Sequence, residues 1–71
     1  MFRVAYSRIE DIDLYEVRLF AINQTIVLSR NVLVSKIGMN PRVLVGCKDL
    51  SIHEIIDLGF IFPSADLKMV L

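Results

Sequence analysis

Hydrophobic and polar residues change period several times along the chain, and each change marks an element. Over Leu50–Phe60, LSIHEIIDLGF, the period is helical. At about 100° per residue, Ile52, Ile55, Ile56 and Leu58 gather on one side, and His53, Glu54 and Asp57 share the other. Both ends of this helix are specified. Ser51 fits the N-cap and Glu54 follows three residues on, so hydroxyl and carboxylate can each accept from the other residue's backbone amide in a capping box. Leu50 and Ile55 occupy the positions of a hydrophobic staple. Gly59 is suited to the left-handed conformation that closes a helix, with Phe60 folding back on Ile55 as in a Schellman motif. So short a helix is marginal alone in water and must lie on an apolar surface.

Upstream the period is two. Phe2, Val4 and Tyr6 alternate with Arg3, Ala5 and Ser7, which predicts an edge or second strand with one buried face. Ile9–Asp13 carries three acids in five residues and reads as a loop, although Ser7 and Glu10 also stand at capping-box spacing. From Glu10 to Ile22 the polar residues scatter around a helix. Tyr15, Val17, Leu19 and Ala21 alternate cleanly with Glu16, Arg18, Phe20 and Ile22, so a strand is expected. The β-branched stretch from Thr25 follows a two-residue turn at Asn23–Gln24. Together these predict a hairpin, Leu14–Ile22 against Thr25–Val34. With Ile22 opposite Thr25, the core face holds Tyr15, Val17, Leu19, Ala21, Ile26, Leu28 and Val32, with Arg30 the exception. The other face holds Glu16, Arg18, Ser29 and Asn31 at its base and Phe20, Ile22 and Val27 near the turn. Those last three are the expected interaction surface.

Gly38, Asn40 and Pro41 predict a connection over Ile37–Pro41. Arg42–Gly46, RVLVG, reads as a buried strand, with Cys47 packing at its end as a small apolar group. The FIFP stretch after Gly59 suits a short strand or an apolar loop. Residues 64–71 suit a helical turn, an edge strand or a disordered tail. The expected fold is a single α+β domain over residues 1–71: an antiparallel sheet of three to five strands built on the central hairpin, with one short capped helix packed on one face.

Composition adds a constraint. A 71-residue chain lies near the lower size limit for a self-sufficient core, and 55% hydrophobic residues exceed what so small an interior hides. One cysteine and one histidine supply neither a disulfide nor a structural zinc site, so oligomerisation is the support left. The longest stretch without a charge, Leu19–Ser29, has 11 residues against the roughly 20 a spanning helix needs, so no membrane segment is expected. Acids stand where a signal peptide would have its apolar core, and the lone cysteine suits a reducing compartment, so the expected location is cytoplasmic. Eight basic and eight acidic residues leave no net charge to steer the protein to nucleic acid.

Candidate chemistry is sparse. His53-Glu54-Ile55-Ile56-Asp57 looks like a zincin motif with aspartate in place of the second histidine, but Glu54 has a capping task and His53 has no companion histidine. Cys47 with His53 is a poor nucleophile and base, with Lys48 alone nearby to lower the thiol pKa. No phosphate loop or cofactor motif is present. Basic residues Arg18, Arg30, Lys36 and Arg42 allow a nucleic-acid contact through the hairpin, and Ser51–Leu58 with Ser64–Leu71 allows a helix-turn-helix with a long, apolar turn. The leading expectation is a small non-enzymatic interaction module, homo-oligomeric and of accessory or regulatory type. Viral and mobile-element proteins of this size are common examples. A nucleic-acid-binding regulator is the alternative.

Overall fold

Tyr15, Val17 and Leu19 are fully buried on one strand, with Leu14, Glu16 and Arg18 exposed between them. That alternation sets the plan of the molecule, a sheet with one covered face and one open face. The computed structural model describes residues 1–62. Four strands, β1 (Phe2–Arg8), β2 (Leu14–Leu19), β3 (Gln24–Ser29) and β4 (Val45–Leu50), form an antiparallel sheet in the order β3-β2-β1-β4. Two helices, α1 (Arg30–Ile37) and α2 (Ile52–Asp57), supply Leu33, Ile37 and Ile55 to the core cluster. Val4 and Tyr6 of β1, the three β2 residues, Met39, Leu50, Leu58 and Phe60 complete that cluster. The fold is α+β, built on the central hairpin.

The helix specified by its ends forms as expected. Glu54 N–H donates to Ser51 Oγ at 3.2 Å, and Ser51 N–H donates to Glu54 Oε1 at 3.0 Å. Gly59 adopts a φ of +107°, Gly59 N–H donates to the Ile56 carbonyl and Phe60 N–H to the Ile55 carbonyl, the two bonds of a Schellman motif. One side chain departs from expectation. Ile56 is 49% exposed, while Ile55 is fully buried and Leu58 nearly so. The buried arc centres between Ile55 and Leu58, and Ile56 lies about 100° around the helix from Ile55.

The hairpin forms in a different register. A 3-10 turn, Phe20–Ile22, follows β2, Asn23 takes the left-handed conformation with φ +51°, and Leu19 faces Gln24. The expected Asn23–Gln24 turn would need positive φ at both residues, and glutamine does not readily supply it. The shift in register is an even number of residues, so Tyr15, Val17 and Leu19 still share a face with Ile26 and Leu28.

The second arm also ends early. Arg30–Ile37 is helical, where an extended strand to Val34 was expected. Ser29 Oγ accepts from Val32 N–H at 3.3 Å, Gly38 closes the helix at φ +68°, and Leu33 and Ile37 are buried one turn apart. Arg30, the charge that interrupted the alternation, pairs with Asp13 at 2.9 Å. The β-branched residues Val32 and Val34 concealed the helix, because tertiary burial overrides their weak strand preference.

β4 covers Val45–Leu50, displaced from the expected Arg42–Gly46, and it lies at the edge of the sheet. Val45 and Cys47 are exposed, which corrects the expectation of a buried strand ending in a buried thiol. Parity explains this: Leu50 points into the core, so Lys48 and Gly46 share its face while Val45, Cys47 and Asp49 take the open one. Gly46 accommodates Tyr6, its cross-strand partner, since a Cβ there would lie 2.8 Å from Tyr6 Oη. β1 lies second from this edge, between β2 and β4. The alternatives for residues 64–71, and with them the second helix of a helix-turn-helix, fall outside the described residues.

Candidate functional site

No described element covers the open face of the sheet. Its residues form rows across the strands. Val27, Glu16, Ser7 and Val45 make one row, and Thr25, Arg18, Ala5 and Cys47 the next. Arg3 and Asp49 face each other beyond Cys47 in a bidentate pair, Nε to Oδ1 and Nη2 to Oδ2 both at 3.0 Å. The hydrogen bond from Arg3 holds the Asp49 carboxyl below its usual range and raises the Arg3 pKa in turn. Both groups are exposed, so the pair sets local geometry more than stability.

At the hairpin end, Arg18 Nη2 donates to Asn23 Oδ1 at 2.6 Å, and its guanidinium lies 5.2 Å from the centre of the Phe20 ring. The contact holds Phe20 against the open face, where a shallow depression is lined by Ala5, Ser7, Glu16, Arg18, Phe20 and Thr25 among others. Phe20 remains 48% and Val27 53% exposed. Ile22 has turned inward and packs, partly buried, against the core. Of the three residues expected at the hairpin tip, the structure presents Phe20 and Val27 to solvent and uses Ile22 as partial cover.

The backbone at the two edges follows from two hydrogen bonds. Ile9 N–H donates to the Leu14 carbonyl and Arg8 N–H to the Leu44 carbonyl, each at 2.8 Å. Antiparallel ladders alternate bonded and non-bonded pairs, so these contacts set the phase of the sheet. Between β2 and β3 the bonded pairs are Leu19–Gln24, Val17–Ile26 and Tyr15–Leu28. The N–H and C=O groups of Thr25 and Val27 therefore point outward from β3, as do those of Val45, Cys47 and Asp49 from β4. The two edges differ in charge. β4 carries Lys48 and Asp49, whereas β3, QTIVLS, carries none. Charges are a device that protects strand edges, and β3 lacks it.

The basic residues do not assemble into one surface. Arg18 lies on the open face. Arg30 and Lys36 lie on α1, paired with Asp13 and Asp57 at 2.9 and 2.8 Å. Arg42 lies in the turn between α1 and β4, where its amide is held by Asn40 Oδ1. His53 is exposed on α2 and Cys47 on the open face, so the sheet separates them. Among the described residues, no group of three or more His, Cys, Asp or Glu side chains is arranged to hold a metal ion. A further depression, lined by Arg8, Glu10, Asp11 and Leu44, brings one base to two acids beside the acidic loop. No helix among the described residues is long and apolar enough to cross a membrane.

Sequence reasoning missed the outward-facing backbone of β3 and the exposure of Leu44 and Val45. The charge-free run Gln24–Ser29 was the available signal for the first, and alternation around Gly46, Lys48 and Leu50 for the second. The chain matches no protein-family model, no curated protein and no solved structure.

Proposed function

We propose that this is a small non-enzymatic interaction protein that self-associates and contacts its partners through the open sheet face and the hairpin end. The observation that carries this reading is the exposure of Phe20 and Val27 beside an uncharged sheet edge. Large apolar side chains left exposed among polar ones are the positions at which a partner gains most by covering a surface. Here the polar neighbours on the same face are Arg18, Glu16 and the Arg3–Asp49 pair, a mixed and locally neutral set. It favours a neutral protein surface over a polyanion, for which Lys and Arg would have to converge. A role as accessory or regulatory protein follows from acting by contact. Sedimentation velocity from low to high micromolar concentration tests the proposal. The sedimentation coefficient should rise with concentration in wild type, and Val27→Ser should reduce the rise. A monomer at every concentration contradicts self-association.

A further inference from the structure

We infer that β3 pairs antiparallel with β3 of a second copy about a two-fold axis at Val27, joining the two four-stranded sheets into one of eight strands. The inference rests on the self-association proposed above and specifies its geometry.

Among the described residues, the outward N–H and C=O groups of Thr25 and Val27 have no partner in the sheet ladder, and the Ser29 N–H points the same way. A strand added at this edge must bond these odd-numbered residues. With Val27 opposite Val27 of the partner subunit, their amides and carbonyls exchange two bonds, and at each end the Ser29 N–H donates to the Thr25 carbonyl of the partner subunit, while the Ser29 carbonyl stays with the first turn of α1. The axis thus makes the Val27 groups and the Ser29 amide of one copy the complement of the Val27 groups and the Thr25 carbonyl of the other.

Side chains agree on both faces. On the core side Ile26 falls opposite Leu28 of the partner subunit in a closely spaced, non-bonded pair. Ile26 and Leu28 are the two apolar β3 residues that the core only partly buries, and the pairing supplies the missing cover. On the open side the exposed Val27 residues meet each other. No charge opposes a like charge across the pairing, because Gln24–Ser29 contains none. β4 is the poorer candidate: Lys48 and Asp49 interrupt its edge.

Cross-linking of the full chain tests the register. Bonded antiparallel pairs hold Cα atoms about 5.5 Å apart, within the range a disulfide spans. In a Cys47→Ser background, Val27→Cys should oxidise to a covalent dimer in high yield. Thr25→Cys should not, since residue 25 lies four positions from its own symmetry mate. Val27→Pro removes an N–H that bonds only across the interface, so it should weaken the dimer at least tenfold while the circular dichroism of the monomer persists. Val27→Lys, which sets two cations opposite each other, should do the same without a proline. A dimer that survives Val27→Lys while Val27→Cys fails to cross-link overturns this interface and leaves self-association standing. A monomer throughout overturns both. A monomer whose Thr25 and Val27 amides are slow to exchange overturns the inference as well.

Discussion

Leu19 faces Gln24 across the hairpin, and the four residues between them, Phe20–Asn23, make the turn. This pairing sets which backbone groups of β3 face outward, so the turn governs the proposed interface as well as the hairpin. Asn23 closes it from the left-handed region, with its side chain held by Arg18. Asn23→Gly should leave the melting temperature nearly unchanged, because glycine accepts that conformation freely. Asn23→Val should destabilise by about 1–2 kcal/mol in thermal unfolding.

Ser51→Ala should cost about 1 kcal/mol through loss of the cap of α2. The same motif predicts a pH dependence. The hydrogen bonds from the Ser51 backbone amide and hydroxyl hold the Glu54 pKa below its usual value, and Arg3 does the same for Asp49. Carboxyls with lowered folded pKa values stabilise fully above their unfolded values, near pH 4–5, and lose that contribution as pH falls through the folded ones. The melting temperature should therefore decline below about pH 5, and Glu54→Gln should flatten part of the decline. An identical profile in Glu54→Gln would mean the box does not titrate.

Ile55 and Ile56 are adjacent and chemically identical, but one is fully buried and the other 49% exposed. Ile55→Ala should destabilise by about 2–5 kcal/mol. Ile56→Ala should remain within about 1 kcal/mol. Urea unfolding of the two variants separates the helix orientation described here from one that buries both.

Tyr15 is fully buried, and its hydroxyl donates to the Val43 carbonyl at 2.9 Å, tying the segment before β4 to the core. Its ring also packs edge-on to Tyr6 at 6.4 Å. Tyr15→Phe keeps the ring and removes the donor, so a loss of about 0.5–1.5 kcal/mol is expected. Faster amide exchange at Val43 and Leu44 should accompany it.

Elements whose signals are local were legible from sequence. The caps of α2, the alternation of β1 and β2 and the acidic loop depend on residues within a few positions of one another, and all form. What was illegible depended on tertiary context. Val32 and Val34 favour a strand in isolation, but the Ser29 cap, the Gly38 terminus and burial of Leu33 and Ile37 make α1. RVLVG resembled a buried strand because sequence does not say that one face of the sheet is left open, and facing that side is what exposes Val45 and Cys47. Phe20 and Val27 were found as exposed apolar residues, whereas Ile22 moved inward when the turn lengthened. The outward backbone of β3 became visible only through the bonds that set the phase of the sheet.

The central claim, that β3 is the contact edge between copies, is tested most directly by amide hydrogen exchange measured residue by residue at two protein concentrations. Ile26 and Leu28, bonded within the sheet, should be protected at both. Thr25 and Val27 should exchange rapidly in dilute solution and become protected as concentration rises. Rapid exchange at Thr25 and Val27 at concentrations where the protein sediments as an oligomer would contradict it.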